Sequence, residues 1–212
     1  MVQRAARHSL TMRKPMKNRN HAKFLLIALT FFCISTNVQA IDVYPTSLDD
    51  LQGLSGSELT EVYTTGTAFE IPSTSNPGEE LLLTGLPLPI PGLEGPSNLL
   101  NFFWGGKVFI TDALGATTLT NKIFPTTPFS FNNVSADVSI VDNSLTNDGM
   151  PVIALNYESS NIVIARAVRD EIRLVAPGLY LGRAYLKNGL LTRLLTGKQH
   201  TFVLWFALED LN

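Results

Sequence analysis

The second half of the chain is a succession of short β-rich runs, and this pattern restricts the possible folds more than any other feature. Runs of β-branched and aromatic residues alternate with turn signals such as Ala-Pro-Gly, Asn-Asp-Gly and Asn-Gly. This arrangement is typical of antiparallel strands joined by hairpins. The predicted strands are residues 107–112, 117–124, 135–142, 151–157, 169–175, 179–187 and 199–208. Seven or eight strands of this kind predict a mainly β protein.

A closed barrel is the arrangement that we favour for these strands. Closing a sheet of about eight strands removes its exposed edges and leaves room for one small ligand. The alternation in strand 135–142 fits a half-buried antiparallel strand, because Ala136, Val138 and Ile140 share one face. A sandwich or a cone-shaped half-barrel accommodates the same strand count. We expect residues 97–212 to form an antiparallel barrel.

Residues 41–96 are predicted to form a helical and proline-rich apolar lead segment. Residues 47–64 fit one or two short helices, with Ser47 and Ser57 as candidate N-caps. Residues 72–96 contain six prolines among many leucines. Because proline lacks an N–H and does not fit a central strand, we expect a polyproline-like segment that packs outside the core or acts as a lid. A helical turn is expected at 97–103.

The first forty residues have the organisation of a secretory signal peptide. A basic stretch precedes the apolar run 24–34, and Val38-Gln39-Ala40 is a small-residue cleavage site. A membrane anchor is one alternative, but this run is far shorter than the roughly 20 residues that a spanning helix needs. Lipid attachment at Cys33 is a second, but Thr30, Phe31 and Phe32 before it do not match a lipobox. We expect cleavage after Ala40, a secreted or periplasmic location, and no membrane span in the mature chain.

Cleavage would change the chemistry that is available to the chain. It would leave nine basic and eighteen acidic side chains, a formal charge of −9 over 172 residues. Such a chain repels phosphates, which disfavours nucleic acids and anionic membrane surfaces as partners. The only cysteine, Cys33, would be lost, and His200 would be the only remaining histidine. We therefore expect no metal site and no cofactor.

The candidate functional residues cluster in one predicted hairpin. A strand places Arg169, Glu171 and Arg173 on one face. The Ala176-Pro177-Gly178 turn pairs residues whose numbers sum to about 355, which brings Arg183 near Ile172 or Arg173. Facing inward, this ladder would form a net positive site for a carboxylate or another anionic group. Facing outward, it would be a solvated surface of weak ion pairs.

Further candidates come from the same hairpin and from the start of the first predicted strand. Tyr180 and Tyr185 could supply hydroxyl groups to an anionic ligand. Trp104 and Lys107 flank a Gly-Gly pair, where a backbone or a ligand can approach closely. The candidate ligand-binding residues are Arg169, Arg173, Tyr180, Arg183, Tyr185, Trp104 and Lys107. No residue is assigned as catalytic, and Glu171 and Asp170 are the weak candidates.

Two segments resemble uncharacterised bacterial lipocalin-like proteins. They are Phe-Trp-Gly-Gly-Lys-Val-Phe at 103–109 and Arg-Asp-Glu-Ile-Arg-Leu-Val-Ala-Pro-Gly-Leu-Tyr-Leu-Gly-Arg-Ala-Tyr at 169–185. The resemblance covers about the C-terminal half of the chain and implies a calycin-like β-barrel, but no reaction. In true lipocalins a G-x-W motif opens the first strand, whereas Trp104 precedes the glycine pair here. Lipocalin ligand residues are therefore not carried over.

The function favoured by these observations is binding of a small apolar or amphipathic molecule in a cavity lined by Phe, Tyr and Leu. One alternative is a cofactor-free lyase or isomerase-like enzyme, with Glu171 or Asp170 as acid or base and Arg169 and Arg173 stabilising charge. Another is an interaction domain of the cell envelope whose interior is filled by side chains.

Overall fold

The computed structural model describes residues 44–88, 104–123, 134–163 and 165–211. These residues all belong to one compact unit, Ala40–Asn212. The predicted signal peptide, the predicted helical turn at 97–103 and residues 89–96 of the proline-rich segment lie outside the described residues.

Eight antiparallel strands form a closed barrel, in which each strand pairs with the next in sequence and β8 pairs with β1. The strands are β1 (Glu80–Leu88), β2 (Trp104–Thr111), β3 (Thr117–Ile123), β4 (Ser135–Val141), β5 (Val152–Asn156), β6 (Val168–Ala176), β7 (Leu179–Lys187) and β8 (His200–Asp210). The predicted mainly β class, the closed barrel and its strand number are confirmed.

Short helices accompany the barrel. They are α1 (Leu48–Gln52), α2 (Gly56–Thr65) and α3 (Leu190–Thr196), with a 3-10 turn at Ala165–Ala167. Ser47 caps α1 as predicted, whereas α2 is capped by Ser55 rather than Ser57. In both caps the serine side chain and the acidic residue three positions later satisfy each other's backbone N–H groups. No helix within the described ranges is long and apolar enough to cross a bilayer.

The structure corrects the expectation that the proline-rich segment contains no strand. Glu80–Leu88 forms β1, so the barrel begins in the segment that the sequence assigned to the lead. Pro87 is accommodated because β1 pairs with β2 only as far as Thr84 and continues along β8 alone. Within the described part of the sheet, Pro87 lies where β1 pairs on one side only, and a residue without an N–H group is tolerated at such an edge.

The barrel separates two apolar clusters. Inside it, Leu83, Phe109, Leu119, Leu155 and Ile172 are at most 1% exposed, so side chains fill the middle of the barrel. Outside it, α1 and α2 cover one face of the sheet with the apolar cluster of Leu51, Leu59, Val62, Leu181 and Trp205. The predicted cavity lined by Phe, Tyr and Leu does not extend through this middle layer.

The two ends of the barrel differ in their connections. At one end lie the β5–β6 and β7–β8 connections, the second of which contains α3. We call this the α3 end. At the opposite end lie the turns 112–116 and 177–178 and the β4–β5 connection 142–151.

Candidate functional site

Four polar side chains meet inside the barrel near the α3 end. We call Lys107, Asn121, Tyr157 and Asp170 the interior polar cluster. Lys107 and Asn121 face each other across β2 and β3, and Asp170 lies on β6. Lys107 is 2% exposed and Asp170 is 5% exposed. The cluster therefore places an ion pair within the interior of the barrel.

Lys107 holds this cluster together. Its Nζ atom donates to Asp170 Oδ2 at 2.9 Å, to the Tyr157 hydroxyl at 2.6 Å and to Asn121 Oδ1 at 2.9 Å. The Tyr157 hydroxyl in turn donates to Asp170 Oδ2 at 3.0 Å. The ammonium thus has a partner for each of its three N–H groups. Its charge is cancelled by the carboxylate, so the cluster is neutral overall.

Aromatic rings surround the ammonium group. Lys107 Nζ lies 5.3 Å from the ring centroids of Trp104 and Tyr157 and 5.2 Å from that of Phe206. Cations within about 6 Å of such rings are attracted by the ring quadrupole. Trp104 Nε1 also donates to Asn121 Oδ1 at 3.4 Å. Because Trp104 and Asn121 are only half-buried, the cluster borders the surface.

Burial shifts the ionisation of the cluster. Desolvation lowers the pKa of the Lys107 ammonium, and the Asp170 carboxylate opposes this shift. Desolvation raises the pKa of the Tyr157 hydroxyl well above its usual value, and the negative charge of Asp170 raises it further. Tyr157 therefore remains a hydrogen-bond donor throughout the physiological pH range. Perturbed groups that converge in this way are typical of functional sites.

A β-bulge explains how Trp104 and Lys107 come to share the barrel interior. Residues three apart in a regular strand point to opposite faces. The β2–β3 register shifts between Trp104 and Gly106, so Gly105 is the extra residue that turns both side chains inward. Gly106 has a φ of 126°, and a Cβ there would overlap the carbonyl oxygen of Leu83. Gly106 is thus a requirement of the site.

The arginine and glutamate candidates lie on the opposite, outer face of the barrel. Asp170 and Ile172 point inward, while Arg169, Glu171 and Arg173 point outward. The prediction that this charge ladder faces the barrel interior is therefore wrong. The alternative of a solvated outer surface is wrong as well, because Glu171 and Arg173 are fully buried. We call Arg169, Glu171, Arg173, Arg183 and Tyr185 the exterior cluster.

Because of a second β-bulge, Arg183 pairs with a different residue from the one predicted. Next to the turn, Ala176 pairs with Leu179, which matches the predicted sum of 355. The register then shifts between Leu174 and Ala176, and beyond the shift the paired numbers sum to 354. Arg183 consequently lies opposite Glu171 instead of Ile172 or Arg173. One inserted residue, Val175, produces this difference.

Glu171 anchors the β4–β5 connection. Its carboxylate accepts hydrogen bonds from Ser144 Oγ at 2.7 Å, from the Leu145 backbone N–H at 3.0 Å and from Arg169 at 2.8 Å. These partners surround a side chain that has no exposed surface. Of the two weak catalytic candidates, Asp170 alone reaches the interior polar cluster.

Arg173 fastens α2 and the β4–β5 connection to β6. Its guanidinium binds both carboxylate oxygens of Asp148, at 2.7 and 2.9 Å. It also donates to the backbone carbonyls of Tyr63, Met150 and Pro151. The hydrogen bonds from Arg173 lower the pKa of Asp148 to about 2. All of these contacts serve the packing of the chain.

Arg183 is enclosed by aromatic rings. Its guanidinium carbon lies 4.7 Å from the ring centroids of both Phe202 and Trp205. Within the described residues it has no ion pair. Its Nε atom and the hydroxyls of Tyr63 and Tyr185 are buried without a hydrogen-bond partner.

The remaining candidate, Tyr180, lies apart from the interior polar cluster. Tyr180 faces the barrel interior but pairs with Leu174 and Leu208 near the end opposite α3, so it is remote from Lys107. Sequence reasoning missed Asn121 and Tyr157. Asn121 shares its strand face with Leu119, and this periodicity could have indicated an inward polar side chain. Tyr157 follows an apolar run and gave no such signal.

Comparison with protein-family models, with curated proteins and with solved structures finds no match to this chain. Within the described ranges, no group of three or more His, Cys, Asp or Glu side chains is arranged to hold a metal ion.

Proposed function

We propose that the barrel binds a small, electrically neutral amphipathic molecule at its α3 end, with the polar group of the ligand on the interior polar cluster. The observation that carries this proposal is the buried Lys107–Asp170 pair beside the half-exposed Trp104. Burying two charges costs several kcal/mol per ion before their attraction is counted, and well-packed apolar residues often serve stability equally well. Because the buried pair lies directly beside the half-exposed Trp104, recognition of a ligand explains it better than packing does.

The filled middle layer of the barrel limits how deeply such a ligand can enter. Apolar side chains that face the interior near the α3 end are only partly buried, and they are Trp104, Val168, Ala184 and Leu204. Ligand sites in proteins combine an apolar lining with a few placed polar groups. The apolar part of the ligand would lie against these side chains, above the middle layer.

The charge of the cluster determines which polar group it would accept. The ammonium of Lys107 and the carboxylate of Asp170 neutralise each other at 2.9 Å. An additional buried charge would lack a counter-ion and would be strongly disfavoured. A hydroxyl group, which can donate a hydrogen bond to the Asp170 carboxylate, is therefore preferred over a carboxylate or an ammonium. The anionic ligand expected from the arginines belongs to a different surface, because those arginines lie outside the barrel.

Tryptophan fluorescence tests this proposal directly, since the chain has two tryptophans. In a Trp205→Phe variant, Trp104 beside the cluster is the only reporter. We expect a saturable response to 1-octanol and binding at least about tenfold weaker for octanoate and octylammonium, equivalent to about 1.4 kcal/mol.

The matched control is Trp104→Phe, which leaves Trp205 in the exterior apolar cluster. This variant should respond to none of the three compounds. Equal binding of all three would contradict the neutral-ligand proposal. No saturable response from Trp104 would instead favour the ligand-free interaction domain.

A further inference from the structure

The helix α3 presents its leucines to solvent and buries none of its residues. The exposed fractions are 74% for Leu190, 70% for Leu191, 74% for Leu194 and 78% for Leu195. Because successive residues of an α-helix are about 100° apart, the four leucines share one half of the helix. The other half carries Thr192, Arg193 and Thr196. The apolar half is therefore open to solvent.

We propose that α3 docks the barrel onto an anionic membrane surface. The leucines would enter the boundary between lipid headgroups and acyl chains, while Arg193 and Lys198 contact the lipid phosphates. Amphipathic helices with leucine on one face and basic residues on the other bind membranes in this way. This proposal goes beyond ligand binding and does not depend on the interior polar cluster.

The sequence around α3 is basic, although the whole chain is acidic. Residues 186–208, which include α3, contain three basic residues and no acidic residue. Lys187 is neutralised by Glu158 from the β5–β6 connection, at 3.0 Å. Arg193 and Lys198 have no ion pair within the described part of the chain. These two cations complement an anionic surface, even though the negative net charge of the whole chain disfavours such a partner.

The size of α3 favours a membrane over a second copy of the chain. Seven residues span about 10 Å of helix. A stable protein interface buries roughly 800 Å² on each partner, and one short helix supplies only part of that area. A lipid surface requires no complementary shape. Docking through α3 would also turn the α3 end of the barrel toward the bilayer.

Vesicle co-sedimentation of the full chain tests the role of the leucines. The variant Leu191→Ser/Leu194→Ser should lose at least about tenfold in affinity for vesicles that contain phosphatidylglycerol. The matched control is Leu114→Ser/Leu211→Ser, which removes leucines that are 94% and 69% exposed at the opposite end. The control should bind as the parent does. The apolar run 24–34 is common to all variants, so its contribution cancels in this comparison.

The role of charge is tested with Arg193→Gln/Lys198→Gln. Affinity for phosphatidylglycerol vesicles should fall roughly fivefold for each charge removed, and affinity for pure phosphatidylcholine vesicles should not change.

Two results would overturn the docking proposal. One is unchanged vesicle binding in the leucine variant. The other is a dimer of the parent chain, seen by sedimentation velocity without lipid, that the leucine variant abolishes. A Lys107→Met/Asp170→Leu variant should bind vesicles as the parent does. Failure of docking and failure of ligand binding are therefore distinguishable.

Discussion

At the residue scale, the Lys107–Asp170 pair connects the stability of the barrel with its proposed ligand. Both side chains are nearly inaccessible to solvent, and they are 2.9 Å apart. Each charge is tolerated because the other is present and because Tyr157 and Asn121 complete the hydrogen bonds of the ammonium. Removing either partner alone should therefore be far more damaging than removing both.

Lys107→Met tests this dependence. The substitution leaves the Asp170 carboxylate buried without its counter-ion, which should lower the free energy of unfolding by about 3–5 kcal/mol. Urea denaturation measures the change. The matched control Lys122→Met affects an exposed lysine on the neighbouring strand and should alter the free energy of unfolding by no more than about 0.5 kcal/mol. Equal losses in the two variants would show that the buried pair has no special role.

At the element scale, the strands could be predicted from the sequence and the bulges could not. The alternation in residues 135–142 predicted β4 almost to the residue, and the turn before Leu179 did the same for β7. Alternation and turn chemistry are local properties, so the sequence alone reveals them. Bulges at Gly105 and Val175 depend on how two strands pair. A single bulge changes the pairing or the face of every residue beyond it.

The dependence of residue orientation on strand pairing explains why the sequence identified only some of the residues that meet in the site. Lys107 and Trp104 were selected together, but their shared inward face results from the bulge. The orientation of Arg173 and Glu171 depends on which face α2 and the β4–β5 connection cover, and that is a tertiary property. The strand β1 was missed because Pro87 argued against it. Its one-sided pairing beyond Thr84 is visible only in the closed barrel.

The ion pair between Arg173 and Asp148 makes stability depend on pH. The pKa of Asp148 is about 2 in the folded chain, compared with 3.8 for the unperturbed group. A carboxylate whose pKa is lowered by folding stabilises the folded state above its unfolded pKa, and this stabilisation is lost as the pH falls toward the folded value. The pH window is therefore about 4 to 2.

We expect the free energy of unfolding to fall between pH 4 and pH 2 by about 1 kcal/mol more in the parent chain than in Asp148→Asn. This value allows for solvent screening of a partly exposed carboxylate. Denaturant titrations at several pH values measure it. Asp142→Asn, an exposed residue of the same β4–β5 connection, should retain the steeper dependence of the parent. An identical pH dependence in Asp148→Asn and the parent would refute the prediction.

At the scale of the whole molecule, the barrel separates polar groups that pack the chain from polar groups that could bind a ligand. The exterior cluster fastens α2 and the β4–β5 connection through Arg173 and Glu171. The interior polar cluster lies on the inner face of the barrel near the α3 end, where Trp104 reaches the surface. Side chains fill the middle of the barrel between the two ends.

The most direct test is the double substitution Lys107→Met/Asp170→Leu in the Trp205→Phe background. Replacing both members of a buried ion pair by apolar residues is often neutral or stabilising, so the free energy of unfolding should stay the same or rise. The saturable response of Trp104 to 1-octanol should disappear. A folded double variant that still binds 1-octanol as tightly as the parent would contradict the proposed role of the interior polar cluster.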